Sequence, residues 1–170
     1  MSARDEILAA LTDLGIAFGH YTHERISRME DCVAIGNALN AVYCKNYFLT
    51  TKSRRVYAIC IVRPAAHFRT SDISRQAGTP RLSFAEEDDP MWTLLRTRPG
   101  AVNPLCLMFD TESRIRLLAD EALTRADRLA FHPCDNSETV VLSASDFFEK
   151  FLSSVRHEPA LVRIHDFEKA

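Results

Sequence analysis

At 170 residues, 46% apolar and 26% charged, the chain has the size and balance of one globular domain, expected over residues 1–170, with a substantial buried core. A formal charge of −2 excludes a chain that is basic throughout, as general nucleic-acid binders are. The N-terminus has no apolar secretion segment and no apolar run approaches the roughly 20 residues of a bilayer span, so a soluble cytoplasmic protein is expected.

The charge is unevenly spread. Residues 45–98 hold ten Lys/Arg against five Asp/Glu, whereas the remainder is acidic. This pattern fits either a local basic face that can steer a phosphate-rich partner or an ordinary solvated surface. The five cysteines form no CxxC pair, and their odd number opposes a complete disulfide framework. Small buried hydrophobes are their default role.

In chain order, Ser2 and Asp5 form a capping pair for a first helix, whose stripe Ile7, Leu8, Leu11, Leu14 stops at Gly15. Ile16–Phe18 predicts a strand running into His20–Thr22, and a weakly patterned helix follows over Ser27–Leu39. Asn46–Leu49 and Val56–Val62 predict two strands joined by the turn Thr51–Arg54, with Pro64 ending the second. Asp72–Ala77 predicts a short helix closed by Gly78, and Arg81–Phe84 a short strand. Pro90 suits the first turn of a helix burying Met91, Trp92, Leu94 and Leu95 before Pro99-Gly100. Strands are then expected at Leu105–Phe109, Ile115–Leu118, Leu129–Phe131 and Thr139–Leu142. Ser143 and Asp146 cap a helix through Ser154, and Ala160–Ile164 predicts a last strand. Irregular mixing of helices and strands predicts an α+β domain, with a mixed sheet rather than a doubly wound one.

No phosphate loop, dinucleotide fingerprint, HExxH motif or serine elbow is present. His132 and Cys134 lack the companions of a zinc site, so no metal and no cofactor are expected. Cys44 beside Lys45 invites a reactive thiol, but strand alternation sends the two to opposite faces. The acidic run Glu86–Asp89 before Pro90 suits the start of a helix better than a metal cluster.

Lys45-Asn46 opens the apolar run Tyr47-Phe48-Leu49, and rigid turns recur at Gly78-Thr79-Pro80-Arg81, Gly100-Ala101-Val102-Asn103-Pro104 and Phe131-His132-Pro133. Together they suggest one pocket assembled from distant segments. In order and spacing these motifs, with Arg81-Leu82-Ser83-Phe84, Ser143–Phe147 and His157-Glu158-Pro159, resemble the YbaK/ProX superfamily of aminoacyl-tRNA editing domains. The free-standing prolyl-tRNA editing proteins (PrdX/ProX-like) are the nearest match.

The resemblance implies a YbaK-like α+β fold with a curved mixed sheet flanked by helices. It also implies an aminoacyl-tRNA deacylase, which hydrolyses the ester joining a wrong amino acid to tRNA(Pro), with Ala-tRNA(Pro) as the main substrate. Ser-, Cys- or Thr-tRNA specificity, or a non-catalytic tRNA- or synthetase-binding module, are the alternatives. Lys45 falls at the family's active-site lysine, Asn46 at a position orienting the terminal adenosine, and Gly100–Pro104 at the loop beside the aminoacyl group. Catalysis is thus expected to involve Lys45 and Gly100. Substrate contacts are expected from Asn46, Tyr21, Thr22, Gly78, Arg81, Ser83, Asn103, Pro104 and His132, and tRNA phosphates at Arg54, Arg55 and Arg75. The implied partners are mischarged tRNA and a transient synthetase complex, with no DNA and no membrane. The stretch His20–Ser27 departs from the family's usual N-terminal strand and bears on amino-acid preference.

Overall fold

The computed structural model describes residues 1–165. Helix α1 (Ala3–Asp13) starts where the Ser2 hydroxyl accepts from the Asp5 N–H, and it buries Ile7 and Leu11. Strand β1 (Phe18–Thr22) and helix α2 (Met29–Ala38) follow. The short β2 (Val42–Tyr43) leads through Cys44 into β3 (Lys45–Thr51), which turns back into β4 (Tyr57–Val62). Helix α3 (Thr70–Ala77) ends at Gly78, whose left-handed φ of 68° closes the helix. Then come β5 (Leu82–Phe84), α4 (Met91–Leu94), β6 (Ile115–Asp120), β7 (Arg128–Phe131), β8 (Glu138–Ser143), α5 (Leu152–Ser154) and β9 (Ala160–Val162).

The strands divide into two mixed sheets where sequence predicts one. The first runs β1-β8-β7-β2 and the second β5-β3-β4-β6-β9. In each, antiparallel pairs give way to parallel ones, at β7–β2 in the first and at β4–β6 and β6–β9 in the second. Both sheets contribute to one core. Leu129, Phe131, Val140 and Leu142 meet Phe48, Ile59, Ile61 and Leu117 there, with Ile7 and Leu11 of α1. The opposite faces are covered too: Ala130 and Val141 pack with Tyr43 and Cys32 of α2, while Ala58, Cys60 and Val62 pack with Ile73 of α3. Period-2 alternation therefore gives β4 two buried faces, which is why Tyr57–Val62 is an unbroken apolar run.

Two local expectations are corrected. Leu105–Phe109 is not a strand but part of a buried 3-10 helix, Pro104–Phe109, because the Asn103 carboxamide caps it and Pro104 presets its first turn. The helix after Ser143 has its expected cap, Asp146 N–H to the Ser143 hydroxyl at 3.0 Å, but is π-helical over Asp146–Phe151. Its wider turn stacks Phe147 on Phe151, with ring centroids 6.0 Å apart. No helix among the described residues is long and apolar enough to cross a membrane.

Candidate active site

The chain passes from the first sheet to the second at Cys44, between Tyr43, paired with β7, and Lys45, paired with β4. A cleft of about 290 Å³ lies at this crossing. Lys45 and Asn46, whose side chains alternate across β3, both border it, so the cleft wraps the start of the strand. Gly100 and Val102 come to it from the loop before the 3-10 helix, and His132 from the end of β7. Ile26, Met29 and Cys32 close it from α2 and the segment before it. Four of the sequence-predicted residues, Lys45, Asn46, Gly100 and His132, thus share one cavity.

Lys45, Asn46 and Gly100 each carry an unused binding capacity. The half-buried Lys45 ammonium has no ion-pair or hydrogen-bond partner among the described residues. The Asn46 amide nitrogen lies 3.5 Å from the Cys44 carbonyl, but its Oδ1 is buried and accepts no hydrogen bond. A buried acceptor left without a donor costs about 1–3 kcal/mol. Gly100 has a φ of 88°, and a Cβ added there would meet nothing within 4 Å. Glycine is therefore required by backbone conformation and not by crowding. Among the described residues nothing accepts from the backbone N–H of Gly100 or Val102.

His132 is held by a polar chain. Its Nδ1 lies 3.0 Å from the Glu138 carbonyl and 2.7 Å from the Tyr43 hydroxyl. The Tyr43 hydroxyl is 2.8 Å from the Thr139 hydroxyl, which is 2.7 Å from His23 Nε2. A carbonyl can only accept, so that contact puts the proton on Nδ1 and leaves Nε2, 3.8 Å from the Cys32 sulfur, as an acceptor. Burial lowers the His132 pKa below its ordinary 6.5, which keeps the ring neutral. Cys44 behaves oppositely to a nucleophile: it is buried, and burial pushes its thiol well above the usual range.

The other sequence candidates lie elsewhere. Tyr21 and Thr22 are exposed on β1, and the Tyr21 ring folds back over Gly19, where a Cβ would come within 2.7 Å of it. Gly78 closes α3, and Arg81 and Ser83 are exposed near β5, which pairs with the far end of β3. That end is roughly 20 Å from Lys45 along the strand. Arg54 lies there too and pairs with Glu86 at 3.2 Å; Arg55 is exposed, and Arg75 pairs with Asp72 on α3. Asn103 and Pro104 are fully buried beside the cleft rather than in it. The Asn103 side chain is spent internally, accepting from Leu105 N–H at 3.0 Å and donating to the Ala101 carbonyl at 3.1 Å. The acidic run also has a helix-start role, since Asp89 Oδ1 accepts from Met91 N–H at 2.9 Å.

Sequence reading does not single out Tyr43, Met29 or Cys32 as lining the cleft, or His23 as the end of the polar chain, although it marks the stretch His20–Ser27, which holds His23 and Ile26, as bearing on amino-acid preference. Tyr43, two residues before Lys45 at the change of sheet, is the other available signal.

A family model described as the aminoacyl-tRNA editing domain matches residues 23–150, which include every segment of this cleft. The chain belongs to that family. It is thereby a member of the YbaK/ProX tRNA-editing superfamily, related to the prolyl-tRNA synthetase-associated editing domains. The "Prolyl-tRNA synthetase associated domain-containing protein 1" of Danio rerio is 32% identical over 161 residues, covering 94% of this chain and 86% of that protein. The "Prolyl-tRNA editing protein ProX" of Acetoanaerobium sticklandii is 28% identical over 146 residues, covering 86% and 88%. Among solved structures, the protein APE2540 superimposes with a TM-score of 0.71 at 12% identity, over 92% of this chain and 98% of that one. A proposed trans-editing enzyme for prolyl tRNA synthetase superimposes with a TM-score of 0.67 at 12% identity, over 97% and 99%. At such identities the structural matches establish the fold. The family model and the sequence relatives carry the editing function in its general form, hydrolytic correction of aminoacyl-tRNA.

Proposed function

We propose that the chain is a cytoplasmic trans-editing deacylase whose main substrate is Ala-tRNA(Pro). The observation that carries this is the convergence of Lys45, Asn46, Gly100 and His132 on one small cleft with unused donors and acceptors. Ile26, Met29 and Val102 give the cleft an apolar wall suited to a methyl side chain. A synthetase pocket built for proline rejects the smaller alanine weakly, so a second hydrolytic site is needed to restore fidelity.

In this reading the Lys45 ammonium pairs with the phosphate of the terminal nucleotide. When substrate binds, the Asn46 amide turns into the cleft, and its Oδ1, inaccessible in the free protein, accepts from the terminal ribose hydroxyl or the substrate's α-ammonium. Water attacks the ester carbonyl, a carbon–oxygen bond to the water forms, and the bond to the ribose oxygen breaks. The ribose oxygen takes up a proton, and the amino acid leaves as its carboxylate. The N–H groups of Gly100 and Val102 stabilise the negative charge developing on the carbonyl oxygen, as fixed donors in a water-poor site do. The attacking water is activated either by the neighbouring ribose hydroxyl or by His132 Nε2, a neutral acceptor on the cleft wall. Tyr47 lines the cleft and contacts Phe68 and Phe84, with ring centroids 5.2 and 5.6 Å away, which offers stacking surface to the single-stranded tRNA end.

The deciding experiment is a deacylation panel of Ala-, Ser-, Cys-, Thr- and Pro-tRNA, with the native protein beside Lys45→Ala. Hydrolysis of Ala-tRNA(Pro) alone is expected. Preference for a hydroxyl- or thiol-bearing amino acid would replace the substrate. Binding without turnover of any of them would favour a tRNA- or synthetase-binding module.

A further inference from the structure

Two segments that border the cleft, at Gly100–Val102 and at His132, lead to a pair of thiols in contact. Cys106 sits in the 3-10 helix that begins one residue after Asn103, and Cys134 follows His132-Pro133. Their sulfurs are 3.0 Å apart across 28 residues of sequence. The Asn103 amide nitrogen lies 3.3 Å from the Cys106 sulfur and 3.7 Å from that of Cys134. Cys106 is fully buried, whereas Cys134 is partly accessible to a small oxidant. Among the described residues no third His, Cys, Asp or Glu joins them as a metal ligand, which leaves redox chemistry to the pair.

We propose that Cys106 and Cys134 form a reversible dithiol–disulfide site that ties the Gly100–Asn103 loop to the His132–Cys134 loop and thereby modulates the cleft between them. Closing the bond needs the sulfurs to approach by about 1 Å, to the ~2.05 Å of a disulfide. The oxidant is a hydroperoxide. The Cys134 thiolate attacks one peroxide oxygen, the O–O bond breaks, and the other oxygen leaves as alcohol or water, giving a sulfenic acid. The Cys106 sulfur then displaces hydroxide from it, and the Cys106 proton completes a water molecule. Two electrons pass from the two thiols to the peroxide, and a dithiol reductant reverses the change.

The chemistry favours this pair over the other cysteines. Cys134 is held below the usual thiol range by its hydrogen bond from Cys106, against burial and with help from Asn103. Burial raises Cys32, Cys44 and Cys60 instead. Cys134 is therefore the attacking thiolate and Cys106 the resolving partner.

The consequence for activity rests on the editing reading, but the bond itself does not. The reduced native chain is treated with hydrogen peroxide, quenched, denatured, alkylated and mapped by peptide mass spectrometry. Two of the five thiols should be lost, in a cross-linked peptide containing positions 106 and 134, and dithiothreitol should restore both. Retention of all five thiols, a different pairing, or Cys134 oxidised to sulfinate without a cross-link would overturn the proposal. Cys134→Ser and Cys106→Ser should each abolish the cross-link, so the test survives if the buried variant folds poorly. Oxidised protein should deacylate Ala-tRNA(Pro) roughly tenfold to a hundredfold more slowly, as a displacement of about 1 Å at a catalytic site does. Cys134→Ser should be insensitive to peroxide. A mapped cross-link with an unchanged rate would overturn the coupling to the cleft. Reduced protein inert on every mischarged tRNA would refute the editing reading and leave the cross-link standing.

Discussion

Replacing Asn46 by leucine should make the protein more stable and less active. Asn46 Oδ1 is buried at the cleft without a donor, and the amide nitrogen's contact with Cys44 is long, at 3.5 Å. The folded protein therefore bears a desolvation cost of about 1–3 kcal/mol with little hydrogen bonding in return. Leucine has the same branching and number of side-chain heavy atoms, with bulkier methyls and no polar atom, so Asn46→Leu removes that cost. Because Asn46 is only half-buried, part of the leucine stays in water, and a net gain near 1 kcal/mol is expected. For a domain of this size that raises Tm by about 2–4 °C, readable by calorimetry without tRNA. With substrate the sign reverses. Loss of the hydrogen bond that Oδ1 accepts should lower kcat/KM for deacylation by roughly tenfold if the donor is a hydroxyl, and by up to about 150-fold if it is the α-ammonium. A lower Tm would mean that the amide is satisfied in the free protein, and unchanged kcat/KM would mean that the substrate does not use it. Either result would refute the reasoning from the unpaired oxygen.

Four further outcomes follow from the same geometry. Lys45→Met keeps the length of the side chain but loses the charge, and should reduce kcat/KM about ten- to hundredfold while flattening the salt dependence of tRNA binding in a titration. Gly100→Ala introduces no clash but forces a Cβ onto a φ of 88°, costing about 1–2 kcal/mol; thermal unfolding should show a drop of a few degrees, and steady-state kinetics a lower kcat. His132 has a folded pKa below 6.5, so its contribution to stability is complete above that value and is lost as pH falls through the folded pKa. The acid limb of a pH–rate profile should have its midpoint below 6.5 and should vanish in His132→Asn. Asn103→Ala removes the cap of the buried 3-10 helix and should lower stability by about 1–2 kcal/mol in denaturant titration, with the activity loss tracking the unfolded fraction.

Much of the secondary structure is legible because its signals are local. Ser2 and Ser143 cap their helices as the sequence predicts, Gly78 and Pro64 mark real ends, and the apolar run Tyr57–Val62 is a strand buried on both faces. Leu105–Phe109 misleads because a largely buried 3-10 helix is as uniformly apolar as a buried strand, and only Asn103-Pro104 ahead of it points the other way. The division into two sheets depends on pairing between segments far apart in sequence, such as β1 with β8, and no local pattern encodes it. The same holds for the site. Lys45 and Asn46 open a strand, and Gly100 and His132 sit in recognisable turns beside it, whereas Gly78, Arg81 and Ser83, in an equally good turn and the strand after it, are carried toward the other end of β3. Turn chemistry shows where a backbone is rigid, and only the topology shows which rigid turns meet.

The crossing between sheets at Cys44 explains why the cleft can be both polar and enclosed. Lys45 and Asn46 alternate across β3, yet both border the cleft because it wraps the start of that strand. Here the chain leaves β2, which pairs with β7, and enters β3, which pairs with β4, so the gap between the sheets opens at these two residues. The residue before the crossing, Tyr43, reaches His132 and Thr139 on the first sheet, while Lys45 and Asn46 start the second. Gly100–Val102 borders the cleft from the loop before the 3-10 helix that Asn103 caps, Ile26 from the stretch His20–Ser27 that departs from the family's usual pattern, and Met29 from the start of α2. In the proposed reading the residues that meet the tRNA end, Lys45, Asn46 and Gly100, are built on a strand and on the loop before the capped 3-10 helix, where rigidity serves the chemistry. In the proposed reading the amino acid meets Ile26 in the irregular segment before α2 and Met29 at the start of that helix. Amino-acid preference should therefore move with substitutions at Ile26 and Met29, and the capacity for hydrolysis with Lys45, Asn46 and Gly100.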